Sequence, residues 1–414
     1  MHTASINEQT FKRFISGYDS YMHYLHDDLY YDYISAIYET HLLGLYEGDE
    51  LIGVSMLSAT SVMKKYRLFT SHTGPLIKDF NNERLKFFLG EIDEYVEKKG
   101  ALQLIHSPYH IYQIRDKDGD AIEDERNNPD IIKIYENLGY SHHGFTKQLV
   151  TEELLRYQGV LDITPSEKEL MKNMGSTTRY NTKQAEIMPV RLRYLEEDEY
   201  DTFIEIYKET EERIGFDPVP SHKIKNLLKT LKDKMYLVMT YVNVDEYLDQ
   251  LADERDELIS EKEDILEKEK QGRATKGQKK KLEQIEQQLN SKYSRIEKVE
   301  GYKEEFGTDL NLSAAMYFHN NHEMVYLFSG SYPELSFFKG TNYATWEMIK
   351  KAKALGLKRF NFFGLTGDFT EDAKDYGVYK FKKGYNIEIE ELPGTFDKVF
   401  NKLIFKIARK LNKI

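Results

Sequence analysis

One order of predicted elements occurs twice along the chain, and this repetition limits the folds that the sequence can adopt. A β-hairpin comes first, then an amphipathic helix that stops at a glycine before a strand, then a segment that reads helix-Gly-Tyr-strand. The segments are His41–Ala59, Phe87–Ile105 and Asp130–Phe145 in the first copy, and Ala314–Ser331, Tyr343–Gly364 and Tyr379–Leu392 in the second. Strands alternating with helices, in two copies, predict an α/β (α+β) fold of two related units.

A charged, proline-free segment, Val244–Glu305, precedes the second hairpin. Its apolar residues follow a heptad spacing in two stretches, which predicts an antiparallel pair of helices joined by a turn that contains Gly272 and Gly277. The heptad residues are Val244, Leu248, Leu251, Leu258 and Ile265, then Leu282, Ile285, Leu289, Ile296 and Val299. The turn lies within the basic stretch Lys268–Lys281, for which two interpretations stay open: a solvated loop, or a local contact with phosphate.

The composition excludes several kinds of chemistry. No cysteine is present, so thiol catalysis, disulfides and cysteine-ligated metals are excluded. The net charge of −12 argues against a general nucleic-acid binder, and any such contact must be local. The first residues lack a basic-then-apolar signal pattern, and no run of about 18 apolar residues occurs, so we expect a soluble cytoplasmic protein.

The stretch "YKFKKGYN", Tyr379–Asn386, ends the second copy with three lysines. Lysines in a last helical turn offset the helix dipole, and the following glycine suits a helix end. In the first copy, however, Asn137 and Leu138 stand where Lys382 and Lys383 stand in the second. A helix end alone does not require this added charge, so the stretch is also a candidate binding cluster.

The repeated unit resembles the N-acetyltransferase (GNAT) fold, although the Arg/Gln-x-x-Gly-x-Gly/Ala turn that holds coenzyme A is missing. Four stretches extend the resemblance to the Fem family of peptidyl-aminoacyltransferases over nearly the whole chain. They are Tyr38–Gly44, Ser71–Ile77, Tyr343–Ile349 and Arg359–Asn386. The resemblance implies two tandem GNAT-like domains, with the coiled-coil arm inserted in the second. We expect domains at 1–150 and 151–397, an arm at 244–305 and a C-terminal helix at 398–414.

The family resemblance also implies the substrates. The donor would be an aminoacyl-tRNA, glycyl or seryl, and the acceptor an amine of the interpeptide bridge on a lipid-linked muropeptide. No cofactor is expected and no metal. The resemblance favours tRNA contact at the basic turn of the arm, through Lys270, Arg273, Lys276, Lys279 and Lys280. Association with itself or with Fem paralogues is a further expected partnership.

Lys382 is the expected catalytic residue, because it follows the phenylalanine of a Phe-Lys motif in the resembled family. A cation there would hold a tRNA phosphate or developing negative charge. Further substrate-binding candidates are Lys380, Phe381, Lys383, Tyr385, Tyr326, Gly364 and Asp368, and, on the segment resembling the family's basic stretch between the domains, Arg179, Asn181 and Lys183. For Tyr326 and Tyr385 a place in the core stays open, for Asp368 a turn cap, and for the last segment an ordinary loop before a helix.

The chain departs from the family pattern at two places. Ser107 stands where the family commonly has aspartate, and Thr177, Thr178, Tyr180 and Gln184 replace bulkier or charged residues. These departures leave open a scaffold-like paralogue with little activity or a tRNA-binding module, while the missing coenzyme A turn disfavours an ordinary acetyltransferase. His106 and His110 have the spacing of a helical metal pair, but Pro108 between them argues against the helix.

The last residues, Lys398–Ile414, contain six basic and no acidic side chains. Arranged at 100° per residue, the apolar residues Phe400, Leu403, Ile404, Ile407, Ala408, Leu411 and Ile414 share one face. This pattern is typical of a helix on an anionic membrane surface, and equally of a helix docked on its own domain. The first alternative implies a peripheral position at the inner face of the membrane.

Overall fold

The computed structural model describes residues 1–18, 20–145, 155–215 and 218–414. In its first part the elements are β1 (His2–Ser5), α1 (Glu8–Ser16), α2 (Asp28–Ile37), β2 (Glu39–Glu47), β3 (Glu50–Val62), β4 (Tyr66–Ser71), β5 (Leu76–Ile77), α3 (Asn82–Lys98), β6 (Ala101–His106), β7 (Gln113–Arg115), α4 (Ile131–Asn137) and β8 (Ser141–His142). Short 3₁₀ turns connect some of them. The expected domain boundary near residue 150 lies within 146–154, outside the described residues.

The second part contains the arm between two strands of one sheet. Its elements are β9 (Tyr157–Asp162), α5 (Glu167–Asn173), α6 (Ser176–Ile187), β10 (Arg191–Tyr194), α7 (Tyr200–Ile214), α8 (Ser221–Thr230), β11 (Met235–Asn243), α9 (Val244–Lys270), α10 (Lys276–Phe306), β12 (Asp309–His319), β13 (Glu323–Ser331), α11 (Gly340–Ala354), β14 (Arg359–Leu365), α12 (Tyr376–Lys383), β15 (Glu388–Glu391), β16 (Phe396–Val399) and α13 (Lys402–Lys410). Among the described helices none is long and apolar enough to cross a membrane.

The strands form two mixed sheets, which confirms the predicted α/β fold. The first sheet has the order β1-β2-β3-β4-β6-β16-β8, with β5 on β3, and the second has the order β10-β11-β12-β13-β14-β9-β15-β7. Both predicted hairpins are present, as β2–β3 and β12–β13. In the first copy α3 leads to β6, which pairs in parallel with β4. In the second copy α11 leads to β14, which pairs in parallel with β13.

The two sheets exchange strands. β16, near the C-terminus, pairs with β6 and β8 of the first sheet, whereas β7, from the first part of the chain, pairs with β15 of the second. Each sheet therefore requires a strand from the other part of the chain. Because these pairings join segments that are distant in sequence, we expect them to hold the two sheets in a fixed relative position.

The arm is the predicted antiparallel helical pair. Asn243 caps α9, and Thr275 opens α10 with a capping box to Gln278. The seam holds Ile265 against Ile285 and Leu289, and the flanks carry ion pairs between the helices, Lys262–Glu286, Lys281–Glu261 and Lys292–Glu254. At 1.5 Å per residue, α9 carries the turn about 40 Å from the second sheet.

Candidate active site

The two copies differ at their parallel strand pair. In the first sheet, β4 and β6 stay paired from Arg67–Ala101 to Ser71–His106. In the second sheet, β13 and β14 pair only from Glu323–Arg359 to Val325–Asn361, although both strands continue. The second sheet therefore opens between β13 and β14 after these three pairs. We call this opening the strand gap.

A buried ion network holds the paired end of β13 and β14 together. Arg359 on β14 donates to Glu323 on β13 at 2.7 Å and to both oxygens of Glu390 on β15, at 2.6 and 2.9 Å. These side chains are all nearly inaccessible, so loss of one partner would leave a buried charge uncompensated. Asn361, the last paired residue, continues the network by donating to Gln158 at 2.9 Å.

The backbone of β14 is distorted where the strands separate. Phe363 has a φ of +61°, in the left-handed region that a bulky residue rarely adopts. The register of β14 against β9 shifts between Asn361 and Gly364, and the Asn361 side chain accepts the N–H of Phe363 at 2.8 Å. Strain of this kind is stored preferentially at functional sites. None of these features was predicted, and Asn361 and Phe363 were not among the candidate residues.

Lys382 projects from α12 to this distorted strand. Its side chain is buried, and Nζ donates to the Gly364 carbonyl at 2.5 Å. Burial lowers the pKa of Lys382 to about 7, against the opposing attraction of Asp375. The amine therefore exists in both protonation states near neutral pH, which is the property that acid–base catalysis requires. The predicted candidates Lys382 and Gly364 are in direct contact.

The other two lysines of the stretch have different surroundings. Lys383 pairs with Asp118 at 2.5 Å, and the Tyr379 hydroxyl donates to the Lys117 carbonyl at 2.7 Å. The loop at 116–120, from the first part of the chain, thus closes over α12. Lys380 is exposed and lies 6.0 Å from the ring centre of Tyr376. The three lysines do not converge on one point.

The aromatic candidates form the wall of the strand gap. Tyr385 is buried with its ring centre 5.0 Å from that of Phe362, and Phe381 contacts both rings, 5.4 Å from Tyr385 and 6.5 Å from Phe362. Tyr326, also buried, stacks on Tyr317 at 4.7 Å. Burial raises the pKa of both Tyr326 and Tyr385. Both tyrosines therefore occupy core positions next to the gap.

Asp368 caps a turn, which is one of the two roles that the sequence left open for it. Its Oδ1 accepts the N–H of Thr370 at 3.1 Å and the hydroxyl of the same residue at 2.7 Å. The turn itself packs closely, because Gly367 has a φ of +81° and a Cβ there would lie 2.2 Å from Tyr157. The turn therefore leads the chain from β14 towards α12.

The segment Thr178–Gln184 lies within α6, so the alternative left open for it, an ordinary loop before a helix, was wrong. Arg179 donates to the Lys172 carbonyl at 2.9 Å, Lys183 is exposed, and Asn181 lines a cavity at the start of α11. Local propensity did not reveal this helix because threonine and asparagine are weak helix formers. The packing of α6 against α11 supplies the stability that propensity does not.

The five cations expected to contact tRNA lie around the turn of the arm, far from Lys382. We call Lys270, Arg273, Lys276, Lys279 and Lys280 the tip cations. Lys279 pairs with Glu269 at 2.6 Å, whereas no ion pair with another described residue engages the other four. They stand at the end of α9 and the start of α10, where their charges face solvent.

The one departure in the first part of the chain, Ser107, makes a hydrogen bond within the fold. The Ser107 hydroxyl lies 2.9 Å from the Thr395 hydroxyl, next to β16. His106 ends β6 and His110 follows in a loop, so the two do not share a helix. Among the described residues no three histidine or carboxylate side chains come together as metal ligands would.

Burial lowers the pKa of His23 and His106 to about 3, and that of His72 and His110 to about 4. We call these four residues the buried histidines.

The molecule is thus a mixed α/β protein of two strand-exchanging sheets, of which the second opens between β13 and β14 and carries the inserted arm. The crystal structure of FemX has this fold, with a TM-score of 0.77 at 20% identity over 98% of this chain and 99% of that one. The model of the FemAB family matches residues 6–413. Aminoacyltransferase FemA of Staphylococcus aureus strain N315 is 36% identical over 379 residues, 91% of this chain and 90% of that protein. The FemA of the bovine strain RF122 / ET3-1 gives the same values. The chain belongs to the FemAB family.

Proposed function

We propose that the protein transfers an amino acid, glycine or serine, from an aminoacyl-tRNA to an amine of the interpeptide bridge on a lipid-linked peptidoglycan precursor. Membership of the FemAB family and similarity to proteins named aminoacyltransferase FemA support this function. One observation of the structure carries it. Lys382, with a pKa of about 7, lies where the strand gap begins and β14 is distorted.

The reaction needs little beyond alignment and proton transfer. The acceptor nitrogen forms a bond to the ester carbonyl carbon, and the bond from that carbon to the ribose oxygen breaks. The attacking nitrogen loses a proton, and the departing ribose oxygen gains one. A lysine with a pKa near 7 takes up the first proton as a neutral amine and delivers the second as an ammonium group. We therefore assign Lys382 as the proton carrier, held in place by the Gly364 carbonyl.

Binding of the two substrates is assigned to separate surfaces. The tip cations supply local positive charge on an otherwise acidic chain, as attraction to the tRNA backbone requires. Arg179 and Lys183 on α6 are assigned to the phosphates of the muropeptide, since a guanidinium group binds phosphate in two-point contacts and an ammonium group binds it as a point charge. In contrast, Lys383 already has Asp118 as a partner and is assigned to hold the 116–120 loop.

The C-terminal helix α13 is assigned to the membrane surface. The helix packs on Val62 and Leu102 through Ile404, Phe405 and the buried Ala408, as a helix docked on its own domain would. A second apolar row, Leu403, Ile407 and Leu411, stays 70%, 40% and 57% exposed. Helical spacing places Lys402, Lys406 and Lys410 beside this row. An exposed apolar row next to cations matches the surface of an anionic bilayer.

The membrane assignment places the protein at the inner face of the membrane and is tested with vesicles. Truncation after Phe396 would remove most of β16 from the first sheet, so substitution is preferable. The variant with serine at 403, 407 and 411 should lose sedimentation with vesicles that contain anionic lipid. Leu355→Ser, which changes another exposed leucine, should bind like the parent protein. Equal binding by the triple variant would contradict the assignment.

The transfer assay tests the proposed reaction. Purified protein is mixed with lipid-linked muropeptides that carry zero to five glycines and with tRNA charged with glycine or serine, and product masses are measured. A gain of one residue that requires charged tRNA and falls at least about a hundredfold in Lys382→Ala is expected, the range usual for removal of an acid–base group. Lys358→Ala, which changes an exposed lysine that has no assigned role, is the control.

A second candidate is a paralogue that binds substrates without transferring, as a scaffold for itself or for other Fem proteins. The observation that favours it is Ser107, bonded to Thr395 where the resembled family commonly has aspartate. The same assay separates the candidates. A folded protein that binds muropeptide or tRNA, yet gives no mass gain with any pair of substrates, would support the scaffold and refute transfer.

A further inference from the structure

A second buried ionisable residue lies on the same helix as Lys382. Asp375 stands directly before α12 and is 4% exposed. An aspartate at this position commonly caps a helix, but the Asp375 side chain bonds none of the N–H groups of α12, all of whose residues the structure describes. Its Oδ1 instead accepts the Thr366 hydroxyl at 3.0 Å. A role as a helix cap therefore does not account for this buried carboxylate.

The spacing along α12 brings Asp375 and Lys382 to the same side of the helix. They are seven residues apart, which is about two helical turns, or about 10 Å along the helix axis. Side chains of a helix lean towards its N-terminus, so the long side chain of Lys382 shortens this distance. Because both residues are buried, little water screens the two charges from each other.

The end of β14 holds both side chains in place. Lys382 Nζ donates to the Gly364 carbonyl at 2.5 Å, and the Thr366 hydroxyl, two residues further along, donates to Asp375. Nζ thus bonds a neutral carbonyl rather than the carboxylate. A direct ion pair would keep the lysine charged, whereas a carboxylate at longer range offsets only part of the cost of burial. This arrangement lets a proton on Lys382 leave.

The other charged and titratable groups on the described elements around Lys382 have partners of their own or face solvent. On α12, Lys383 pairs with Asp118 of the loop over the helix at 2.5 Å. The remaining groups are Lys380 and Lys183, which are exposed, Arg179, bonded to the Lys172 carbonyl, Asp368, bonded to Thr370, Tyr379, bonded to the Lys117 carbonyl, Tyr157, bonded to Glu391, and Tyr385, bonded to Asn342. Burial lowers the pKa of Lys382, and the charge of Asp375 opposes this change.

We propose that Asp375, oriented by Thr366, is the counter-ion that retains the transferred proton on Lys382. The inference rests on the proposed transfer function and adds a positioning residue to it. When the acceptor nitrogen bonds to the ester carbonyl carbon, its proton passes to Lys382 Nζ. The same amine then gives a proton to the ribose oxygen as the bond from that oxygen to the carbonyl carbon breaks. Asp375 stabilises the ammonium form between these two transfers and neither gains nor loses a proton itself.

Direct titration of Lys382 tests the proposal without any substrate. The protein is produced with lysine isotopically labelled at Cε, and the NMR signal that is missing from Lys382→Met is that of Lys382. Asp375→Asn removes the carboxylate charge, and Asp375→Glu restores it. Asp372→Asn is the matched control, because it removes the charge of an exposed aspartate in the same segment.

We expect the pKa of Lys382 to be about 7 in the parent protein. In Asp375→Asn it should be lower by about 1–3 units, the change that loss of a nearby opposite charge produces. Asp375→Glu should bring the pKa back towards the parent value, and Asp372→Asn should titrate like the parent. The same pKa in Asp375→Asn and in the parent protein would overturn the proposal.

Thr366→Val is the second variant, and it decides the question if Asp375→Asn does not fold. Valine has the shape of threonine without the hydroxyl, so the carboxylate stays but loses the bond that orients it. The pKa of Lys382 should therefore fall in Thr366→Val and keep the parent value in Thr366→Ser, which retains a hydroxyl. An equal pKa in these two variants would then overturn the proposal.

The transfer assay adds a measurement that a merely structural role would not change. In Asp375→Asn the acidic inflection of kcat against pH should move down together with the pKa of Lys382. A loss of kcat at every pH, with the inflection in place, would show a structural role and overturn the proposal.

The two measurements separate this inference from the transfer function. If the pKa of Lys382 falls in Asp375→Asn yet the parent protein transfers no amino acid to any muropeptide, transfer is refuted and the counter-ion stands. If transfer requires Lys382 and the pKa of Lys382 is the same in Asp375→Asn as in the parent, the counter-ion is refuted and transfer stands.

Discussion

Replacement of Lys382 by methionine should make the protein more stable and inactive at once. A depression of the pKa from 10.5 to about 7 is 3.5 units, and at 1.36 kcal/mol per unit it costs the folded state about 5 kcal/mol when the amine is charged. The pKa of about 7 already reflects the attraction to Asp375. Methionine has a similar length and no charge, so this cost disappears. Methionine also loses the hydrogen bond to the Gly364 carbonyl, which costs about 1–3 kcal/mol of folding free energy. The net gain in stability is therefore about 2 kcal/mol or more below pH 7.

The pH dependence of this gain has a defined sign. The unfolded chain keeps the lysine charged up to its ordinary pKa of 10.5, whereas the folded protein releases the proton above about 7. The unfolded state thus binds more protons between these values, and the contribution of Lys382 to the stability of the parent protein rises with pH across that window. The difference between Lys382→Met and the parent should accordingly be largest below pH 7 and shrink towards pH 10.

Urea denaturation of both proteins from pH 6 to 10 measures this difference, and the transfer assay measures activity on the same samples. Lys358→Met, which changes an exposed lysine between α11 and β14, should change neither quantity appreciably. A Lys382→Met protein less stable than the parent at pH 6 would mean that the lysine is a structural residue with its ordinary charge. A stable variant that still transfers at the parent rate would refute the assigned proton transfer.

Three further predictions concern the arm, the first unit and the 116–120 loop. Glutamine in place of the tip cations should weaken tRNA binding and reduce the slope of log K against log salt by about 0.7–0.9 for each phosphate that the arm no longer neutralises, measured by filter binding, while muropeptide binding stays unchanged. The buried histidines should make the protein acid-sensitive, because their imidazoles bind protons at about pH 6.5 in the unfolded chain and only near pH 3–4 in the folded protein. The free energy of unfolding measured in urea should therefore fall as the pH is lowered from 6.5. His106→Phe should reduce this fall by up to about 5 kcal/mol. Gly119→Ala should cost about 1–3 kcal/mol, because φ there is +91° and the new Cβ would lie 2.3 Å from Phe369; an unchanged thermal midpoint would contradict the close packing of the loop.

Local patterns in the sequence predicted the elements but not their long-range pairing. The hairpins β2–β3 and β12–β13 follow from alternation and turn residues, and the arm from its heptads. The placement of β16 in the first sheet depends on contacts with β6, nearly 300 residues earlier, and no local periodicity encodes such a pairing. For the same reason the strand gap could not be predicted, because β13 and β14 lie on either side of α11 and no local pattern shows where their pairing ends.

The sequence contained a sign that Lys382 is buried, although the three lysines together suggested an exposed cationic cluster. Tyr379 precedes it by three residues and Tyr385 follows it by three, and both tyrosines are buried. Tyr379 and Lys382 are three residues apart on α12 and share a helix face, so the lysine points inward with the tyrosine. Lys380 points away from this face and is exposed, and Lys383 reaches Asp118. The composition of the stretch thus indicated a cationic cluster, whereas its spacing indicated one buried lysine.

The comparison of the two copies explains why chemistry is assigned to the second only. In the first copy the parallel pair β4–β6 is closed along its length, with the fully buried His106 at its end. In the second copy the pair is fixed at one end by Arg359 and Glu323 and opens beyond Asn361, where Lys382 enters. The first part of the chain still contributes to this opening, because Asp118 binds Lys383 across the units. One sheet therefore stays closed at its parallel pair while the other opens, and the exchange of β7 and β16 ties the two sheets together.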